Sequence, residues 1–235
     1  MKFSFIIPAL NEEDYIEDCI LSIKKQLEKG DEIIVVDNGS KDKTVAIAEG
    51  LGAKVIKETK KGISHARNRG AKSAKGDILA FVDSDMVLSR RWLSEARKSF
   101  SNPRTDVVVG LNIFEHHQFG KMLWYNTYTL FAYGCVMLSD IFMDRLLLSG
   151  NNLAIKKGLF NKLGGFEPVV GEDYWMSRKF WKLKKRRGVF NPNMIIYLSS
   201  RGFDSAGYAK TISFWIRSTL SRANQEGYSY KNKEG

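Results

Sequence analysis

Two aspartates, Asp83 and Asp85, flank Ser84 at the end of an apolar run in the stretch GDILAFVDSDMVLSRRWL. Carboxylates one residue apart offer hard oxygen ligands. Mg2+ or Mn2+ is commonly held this way, bridging one or two carboxylates to a substrate's phosphates. The same residue types also suit a plain turn at a strand end. A second acid pair, Glu172-Asp173, follows Gly171 in GEDYWMSRKFWK. Acids at a helix start favour the dipole, but that alone does not explain two of them directly after a Gly-Gly-Phe turn. Acidic and amide groups recur after two earlier apolar runs, as Asn11 and Glu12 in PALNEE and as Asp37-Asn38-Gly39-Ser40. The opposite charge comes from GISHARNRGAKSAKG, where His65, Arg67, Asn68 and Arg69 fall within one helical turn and its start. A guanidinium fork matches phosphate geometry, and a helix N-terminus adds backbone N–H groups. A solvated basic helix face is the alternative for that segment.

The elements decide whether these groups can meet. Residues 3–8, 32–36, 53–57, 77–82 and 106–111 read as strands. Between them, 13–28, a stretch around 42–50, 64–75 and 90–100 carry helical spacing. This alternation predicts an α/β fold with a mainly parallel sheet flanked by helices. In such sheets ligands bind beyond the carboxyl ends of the strands, and right-handed crossovers bring those ends to one edge. Asn11 with Glu12, Asp37, and Asp83 with Asp85 all follow strands. Three polar clusters at equivalent ends are more than separate turns require. The second half reads differently. Residues 119–148 are aromatic and helical, 152–156 and 194–198 are strands, and 171–185 and 206–224 are helices.

The chain has 235 residues, with 43% hydrophobic and 12% aromatic content, enough for a sizeable core. Its 37 Lys and Arg against 26 Asp and Glu leave a net charge of +11, which suggests an anionic partner. Cys19 and Cys135 are its two cysteines and show no metal-ligand spacing, so neither a thiolate site nor a disulfide framework is indicated. The N-terminal apolar run is too short for a signal peptide. The apolar window 122–148 is interrupted by Asn126, Asp140, Asp144 and Arg145, and does not read as a membrane span.

Together, IIPALNEEDYIEDCILSI, EIIVVDNGSKDKT, GISHARNRGAKSAKGDILAFVDSDMVL and GGFEPVVGEDYWMSRKFWK resemble the inverting family-2 glycosyltransferases of the GT-A fold. These stretches cover most of residues 3–183. The resemblance implies a Rossmann-like nucleotide-sugar-binding half over 1–115. An acceptor-binding half carrying the catalytic base would follow over 116–235, with a C-terminal helix at about 206–224. Pro8, Ala9, Asn11 and Glu12 would line base and ribose, and Asp37 would bond the nucleobase or ribose. Arg67 and Asn68 would close over base or phosphate. Asp83 and Ser84 would face the nucleoside, Asp85 would hold Mg2+ or Mn2+ on the diphosphate, and Asn151 would approach the donor sugar. Glu172 would belong to the donor site and Asp173 would be the base. No His follows His117, so a His ligand found in some relatives is missing here.

The acceptor expected is a hydroxyl of a glycan or a lipid-linked sugar. Related polyprenyl-phosphate synthases continue their acidic motif with a Gln-His-Pro type of run, whereas this chain continues Met86-Val87-Leu88-Ser89. Tyr208, Ile212, Trp215, Ile216 and Leu220 form a stripe with Lys210, Arg217 and Arg222 nearby. That pattern fits either a helix docked on the core or a peripheral membrane contact. The expected location is the cytoplasm, with the cytoplasmic membrane face as its variant. A nucleic-acid partner is not expected. A sugar nucleotidyltransferase would place a Gly-rich basic loop where PALNEE stands. A non-catalytic binding module would not need Asp37, Asp85 and Asp173 together.

Overall fold

The computed structural model describes residues 1–115, 120–127, 130, 134, 138, 145–183 and 187–199. Eight strands form one sheet in the order β3-β2-β1-β4-β7-β6-β8-β5. They are β1 Phe3–Ala9, β2 Glu32–Asp37, β3 Lys54–Lys57, β4 Ile78–Val82, β5 Met86–Leu88, β6 Val107–Glu115, β7 Asn152–Lys156 and β8 Gly188–Ser199. The helices are α1 Ile16–Lys24, α2 Thr44–Gly50, α3 Ile63–Ser73, α4 Trp92–Phe100, α5 Lys157–Leu163 and α6 Glu172–Trp181. Residues 120–127, 130, 134 and 138 are also helical.

Strands β1 to β4 pair in parallel, as do β6 and β8, while β7 and β5 run antiparallel to their neighbours. The fold is thus α/β with a mixed sheet whose larger part is parallel. Strands buried on both faces need apolar residues at every position, and β1 and β4 are buried throughout. Phe3, Phe5 and Ile7 pack on one face with Ile16, Ile20 and Ile23 of α1 and Trp92 of α4. Ile6, Ile34 and Phe81 pack on the other with Ala66 of α3, Phe160 of α5 and Phe180 of α6. The sheet is therefore a middle layer between two helical ones.

Several expectations change. The helix expected over 13–28 spans Ile16–Lys24. The helical reading of 119–148 holds for the described residues up to 138, but 145–149 are not helical. The strand expected at 194–198 is longer because it absorbs Pro192-Asn193-Met194 as an irregularity. Gly110 of β6 pairs with Asn191 and Leu111 with Ile195, so three residues bulge out of register. A Cβ on Gly110 would lie 2.1 Å from the Met194 carbonyl oxygen, so only glycine fits opposite the bulge. β5 and α5 are too short to announce themselves by periodicity. The C-terminal helix expected at 206–224 and the Ser200-Arg201 pair lie outside the described residues. No described helix is long and apolar enough to cross a membrane.

Candidate active site

The site edge is the carboxyl end of the parallel strands. Val82, the last residue of β4, pairs with Asn152, the first of antiparallel β7, so Asp83 and Gly150-Asn151 emerge at the same edge. Ala9 and Asp37 end the neighbouring β1 and β2 in register. The clusters after the first, second and fourth strands therefore share one rim, as the alternating pattern implied.

Two loops are cross-braced there. Asn11 has φ of 52°, a left-handed conformation that Asn tolerates better than most residues. Its Oδ1 accepts from the Lys41 N–H at 2.8 Å, and its own N–H donates to Ser40 Oγ at 3.0 Å. Asp37 is buried, and its Oδ1 accepts from the Ser40 N–H at 2.9 Å. Asn38 Nδ2 donates to the carbonyls of Glu58 and Lys60, at 2.8 and 2.9 Å, while its Oδ1 accepts from the Gly62 N–H. Asn38 thereby sets the loop that launches α3. Asn11, Asp37, Asn38, Gly39 and Lys41 line a cavity of about 370 Å³ beyond the ends of β1 to β3. Pro8 and Ala9 are buried at the end of β1, outside that lining. Glu12 is buried too; its N–H donates to Thr44 Oγ1 at 2.7 Å and its carbonyl accepts the first N–H of α1.

Arg67 of α3 is 2% exposed and joins the two halves of the chain. Its Nη2 donates to Asp83 Oδ1 at 2.7 Å, and its Nη1 donates to Glu172 Oε1. The guanidinium lies 5.3 Å from the centroid of the Phe166 ring. A Cβ on Gly150 would come within 2.7 Å of Nη1, so the turn before β7 must carry glycine where it crosses the guanidinium. Next to it, Asn68 clasps the Phe166 backbone, accepting its N–H at 2.9 Å and donating to its carbonyl at 2.8 Å. Gly164 and Gly165, both at positive φ, end α5 and turn the chain into that clasp.

Glu172 and Asp173 open α6, with Gly171 in the left-handed region before them. Asp173 accepts the Tyr174 N–H at 2.7 Å. Burial raises both acids above the usual carboxylate range, although the positive charge of Arg67 pulls the other way. Ser84 is buried, Asp83 is 24% exposed, and Asp85 is part-exposed. Asp85 and Asp83 flank the thiol of Cys19, which is buried beneath their loop and held far above its usual range by that burial and their charges. Asn151 Oδ1 accepts from Asn112 Nδ2 at 3.1 Å and from Ser149 Oγ at 2.5 Å. Among the described residues, no three His, Cys, Asp or Glu side chains are grouped to hold a metal. A cation at Asp85 would take its remaining oxygens from substrate and water, which suits Mg2+ or Mn2+.

Asp37, Arg67, Asp83 and the Glu172-Asp173 pair therefore converge on one rim, and Asn151 stands beside them. Arg67, expected to close over base or phosphate, is held between the Asp83 and Glu172 carboxylates. Sequence reading missed Gly150 as a packing partner of that guanidinium, and its place in Gly150-Asn151-Asn152 was the available signal.

A sequence model of Glycosyl transferase family 2 matches residues 4–164. The chain belongs to that family. An uncharacterized glycosyltransferase of Bacillus subtilis, YfnE, is 38% identical over 118 residues, or 47% of this chain and 30% of that protein. Among solved structures, the glucosyl-3-phosphoglycerate synthase of Mycobacterium tuberculosis, in complex with Mn2+, UDP and phosphoglyceric acid, superposes with TM-score 0.67 at 23% identity. That match covers 94% of this chain and 78% of the other. The mannosyltransferase PcManGT of Pyrobaculum calidifontis, in complex with GDP-Man and Mn2+, gives TM-score 0.62 at 22% identity, over 83% of this chain and 56% of the other. At such identities the likeness establishes the GT-A fold. The chain spans under a third of the YfnE length.

Proposed function

We propose that this chain is a metal-dependent inverting glycosyltransferase that moves a sugar from a nucleoside-diphosphate donor to a hydroxyl of a glycan or lipid-linked acceptor. The observation that carries this reading is the Arg67 junction, which ties the acid after β4 to the acid pair of α6 beside the cavity of Asn11 and Asp37. Residues 1–115 form the donor half in this scheme, and 116–235 bring the acceptor side and the base. Asn11 and Asp37 hold base and ribose, with Pro8, Ala9 and Glu12 shaping the loop behind them. Arg67, Asn68, Asp83, Ser84, Asn151 and Glu172 border the diphosphate and sugar. Asp85 holds Mg2+ or Mn2+. Of the two superposed structures, one is a complex with GDP-Man and Mn2+ and the other with Mn2+ and UDP, which supports this choice.

The acceptor oxygen attacks the anomeric carbon, its proton passes to the Asp173 carboxylate, and the bond from that carbon to the diphosphate oxygen breaks. One displacement inverts the anomeric centre. The raised pKa of Asp173 makes it a stronger base than an exposed aspartate, which favours proton transfer near neutral pH. The Tyr174 N–H holds one of its carboxylate oxygens. A bound divalent cation supplies Lewis-acid stabilisation of the diphosphate leaving group. The +11 charge and the lipid-linked acceptor fit work at the cytoplasmic face of a membrane.

Hydrolysis of UDP- and GDP-sugars with Mn2+ tests the reading. Asp173→Asn should reduce turnover at least on the order of a hundredfold, the usual weight of a positioned proton acceptor, and Asp85→Ala should reduce it by weakening the hold on the cation. Unchanged turnover in both variants would sink the assigned roles.

A further inference from the structure

Strands β5 and β8 turn one face into the core and leave the other open. Met86 and Leu88 of β5, with Met194 and Ile196 of β8, point inward. Side chains alternate along a strand, so Val87, Ile195 and Tyr197 point the other way, and all three are half-buried. Val87 stands opposite Tyr197 in the register, and the Ser89 N–H donates to the Ile195 carbonyl at 3.0 Å. These residues floor a groove of about 1010 Å³, large for a small-molecule site. One wall is braced. Gln26 of α1 donates to the carbonyls of Ser22 and Ser89, at 2.9 and 3.0 Å, and accepts the Leu93 N–H at 3.1 Å. It ties α1 to the end of β5 and the start of α4. Two features of the lining have no task among the described residues. Lys25, Arg90 and Arg91 are exposed cations without an ion pair there. The Ser89 hydroxyl is buried and finds no hydrogen-bond partner there. Two acids share the lining. Glu95 Oε2 accepts from Asn191 Nδ2 at 3.3 Å, and Glu115 is exposed at the end of β6.

We infer that this groove binds an acidic oligosaccharide, a sugar chain that carries carboxylate or phosphate groups. A small inorganic anion would leave Val87, Ile195 and Tyr197 uncovered and would face Glu95 and Glu115. A neutral sugar chain would leave the three cations unused. A chain with both hydroxyls and acidic groups uses every part of the lining. Its hydroxyls donate to the two carboxylates, which only accept, and one of them completes Ser89 Oγ. Its ring faces pack on Tyr197 and the aliphatic pair. Its acidic groups meet Lys25, Arg90 and Arg91, where a guanidinium fork matches carboxylate and phosphate alike. The groove also adjoins the candidate site, because β5 begins directly after Asp85. At about 3.4 Å per residue it starts about 7 Å along the strand from Asp85, at Val87, and reaches about 14 Å at Ser89. Acceptor units next to the one being glycosylated would lie there. That role rests on the function proposed above, but the binding itself does not.

Isothermal titration of the full chain with hexagalacturonate, phosphorylated maltohexaose and plain maltohexaose tests the inference. Both charged chains should bind, and plain maltohexaose should bind at least about tenfold more weakly, the weight of one hydrogen bond to a charged group. Arg90→Gln/Arg91→Gln should weaken binding of the charged chains at least about tenfold on the same basis. Its melting temperature should stay at the wild-type value, since both side chains are exposed. Ser89→Ala should also weaken binding, and without loss of melting temperature, because its hydroxyl bonds no described residue. UDP with Mn2+ should displace neither chain, as the groove shares no lining residue with the cavity of Asn11 and Asp37. Absence of wild-type binding to both charged chains, or binding unchanged by the double variant, would overturn the inference. Binding of one charged chain alone supports it and identifies the acidic group. Equal affinity for plain maltohexaose would overturn the acidic assignment, and equal affinity for hexaglutamate would give the groove to an acidic peptide. Displacement by UDP with Mn2+ would make the groove part of the donor site. No arm measures transfer, so these outcomes are independent of those for Asp173→Asn.

Discussion

Arg67 is the residue on which the site balances. Its guanidinium is buried between Asp83 and Glu172, and its planar fork serves both carboxylates at once. Removing one partner of a buried ion pair leaves uncompensated charge and costs about 3–5 kcal/mol. Arg67→Ala should therefore lower the urea midpoint of unfolding by that equivalent, and Arg67→Lys should recover only part, since an ammonium cannot span both acids. The two acids of α6 add a pH signature. Glu172 is pushed up to about 7 by burial, with the Arg67 charge opposing and the Asp173 charge assisting, and Asp173 is raised as well. A raised folded-state pKa means that the folded protein holds these protons more tightly than the unfolded chain. Their contribution to stability is thus fully present below the unfolded value of about 4 and is lost as pH rises through the folded value. Wild type should lose melting temperature between about pH 4 and 7 more steeply than Glu172→Gln. The transfer reaction should follow the opposite sign. Its rate falls as pH drops through the raised value of Asp173, because a protonated base accepts nothing.

At the scale of elements, the strands and helices of the first half were legible because each is long, apolar and periodic. Phe3–Ala9 and Ile78–Val82 are buried at every position and read as continuous runs. β5 was hidden because three residues after an acid pair carry no period, and β8 because Asn191-Pro192-Asn193 looks like a turn. The bulge of Pro192, Asn193 and Met194 depends on a buried side chain, Asn152. It accepts from Trp92 Nε1 at 2.8 Å, and its Nδ2 lies 3.1, 3.0 and 3.1 Å from Leu111 O, Asn112 Oδ1 and Met194 O. One amide thus joins β6, β7, β8 and α4 directly behind Gly150-Asn151. Asn152→Ala strands several of these groups without water, at a cost of about 1–3 kcal/mol for each unsatisfied one. Equilibrium unfolding should show a loss of at least about 2 kcal/mol on that basis. The loss would exceed that of Asn151→Ala, whose site is part-exposed.

For the whole molecule, the rim of strand ends was foreseeable from the alternation of elements, since Asn11, Asp37 and Asp83 each follow a strand. Its closure from the second half was not. No periodicity tells that Gly150 crosses Arg67, or that Asn68 clasps Phe166 at a separation of 98 residues. Such contacts come from how the two halves fold onto one sheet, and they join a proposed nucleoside cavity on one side to a proposed base on the other. Occupying the cavity should therefore stabilise the molecule as one unit. Saturating nucleotide at about 100 times its dissociation constant adds about 2.7 kcal/mol by mass action. With UDP or GDP and Mn2+, the wild-type melting temperature should rise. Asp85→Ala should keep the small rise seen with nucleotide alone and lose the increment that Mn2+ adds. Asp37→Asn should weaken the rise with and without the cation, because Asp37 borders the cavity while Asp85 does not. If both variants lose the same increment, the separation of nucleoside and cation duties between these two aspartates is wrong. If no nucleotide shifts wild type at all, the cavity beyond β1 to β3 is not a donor site.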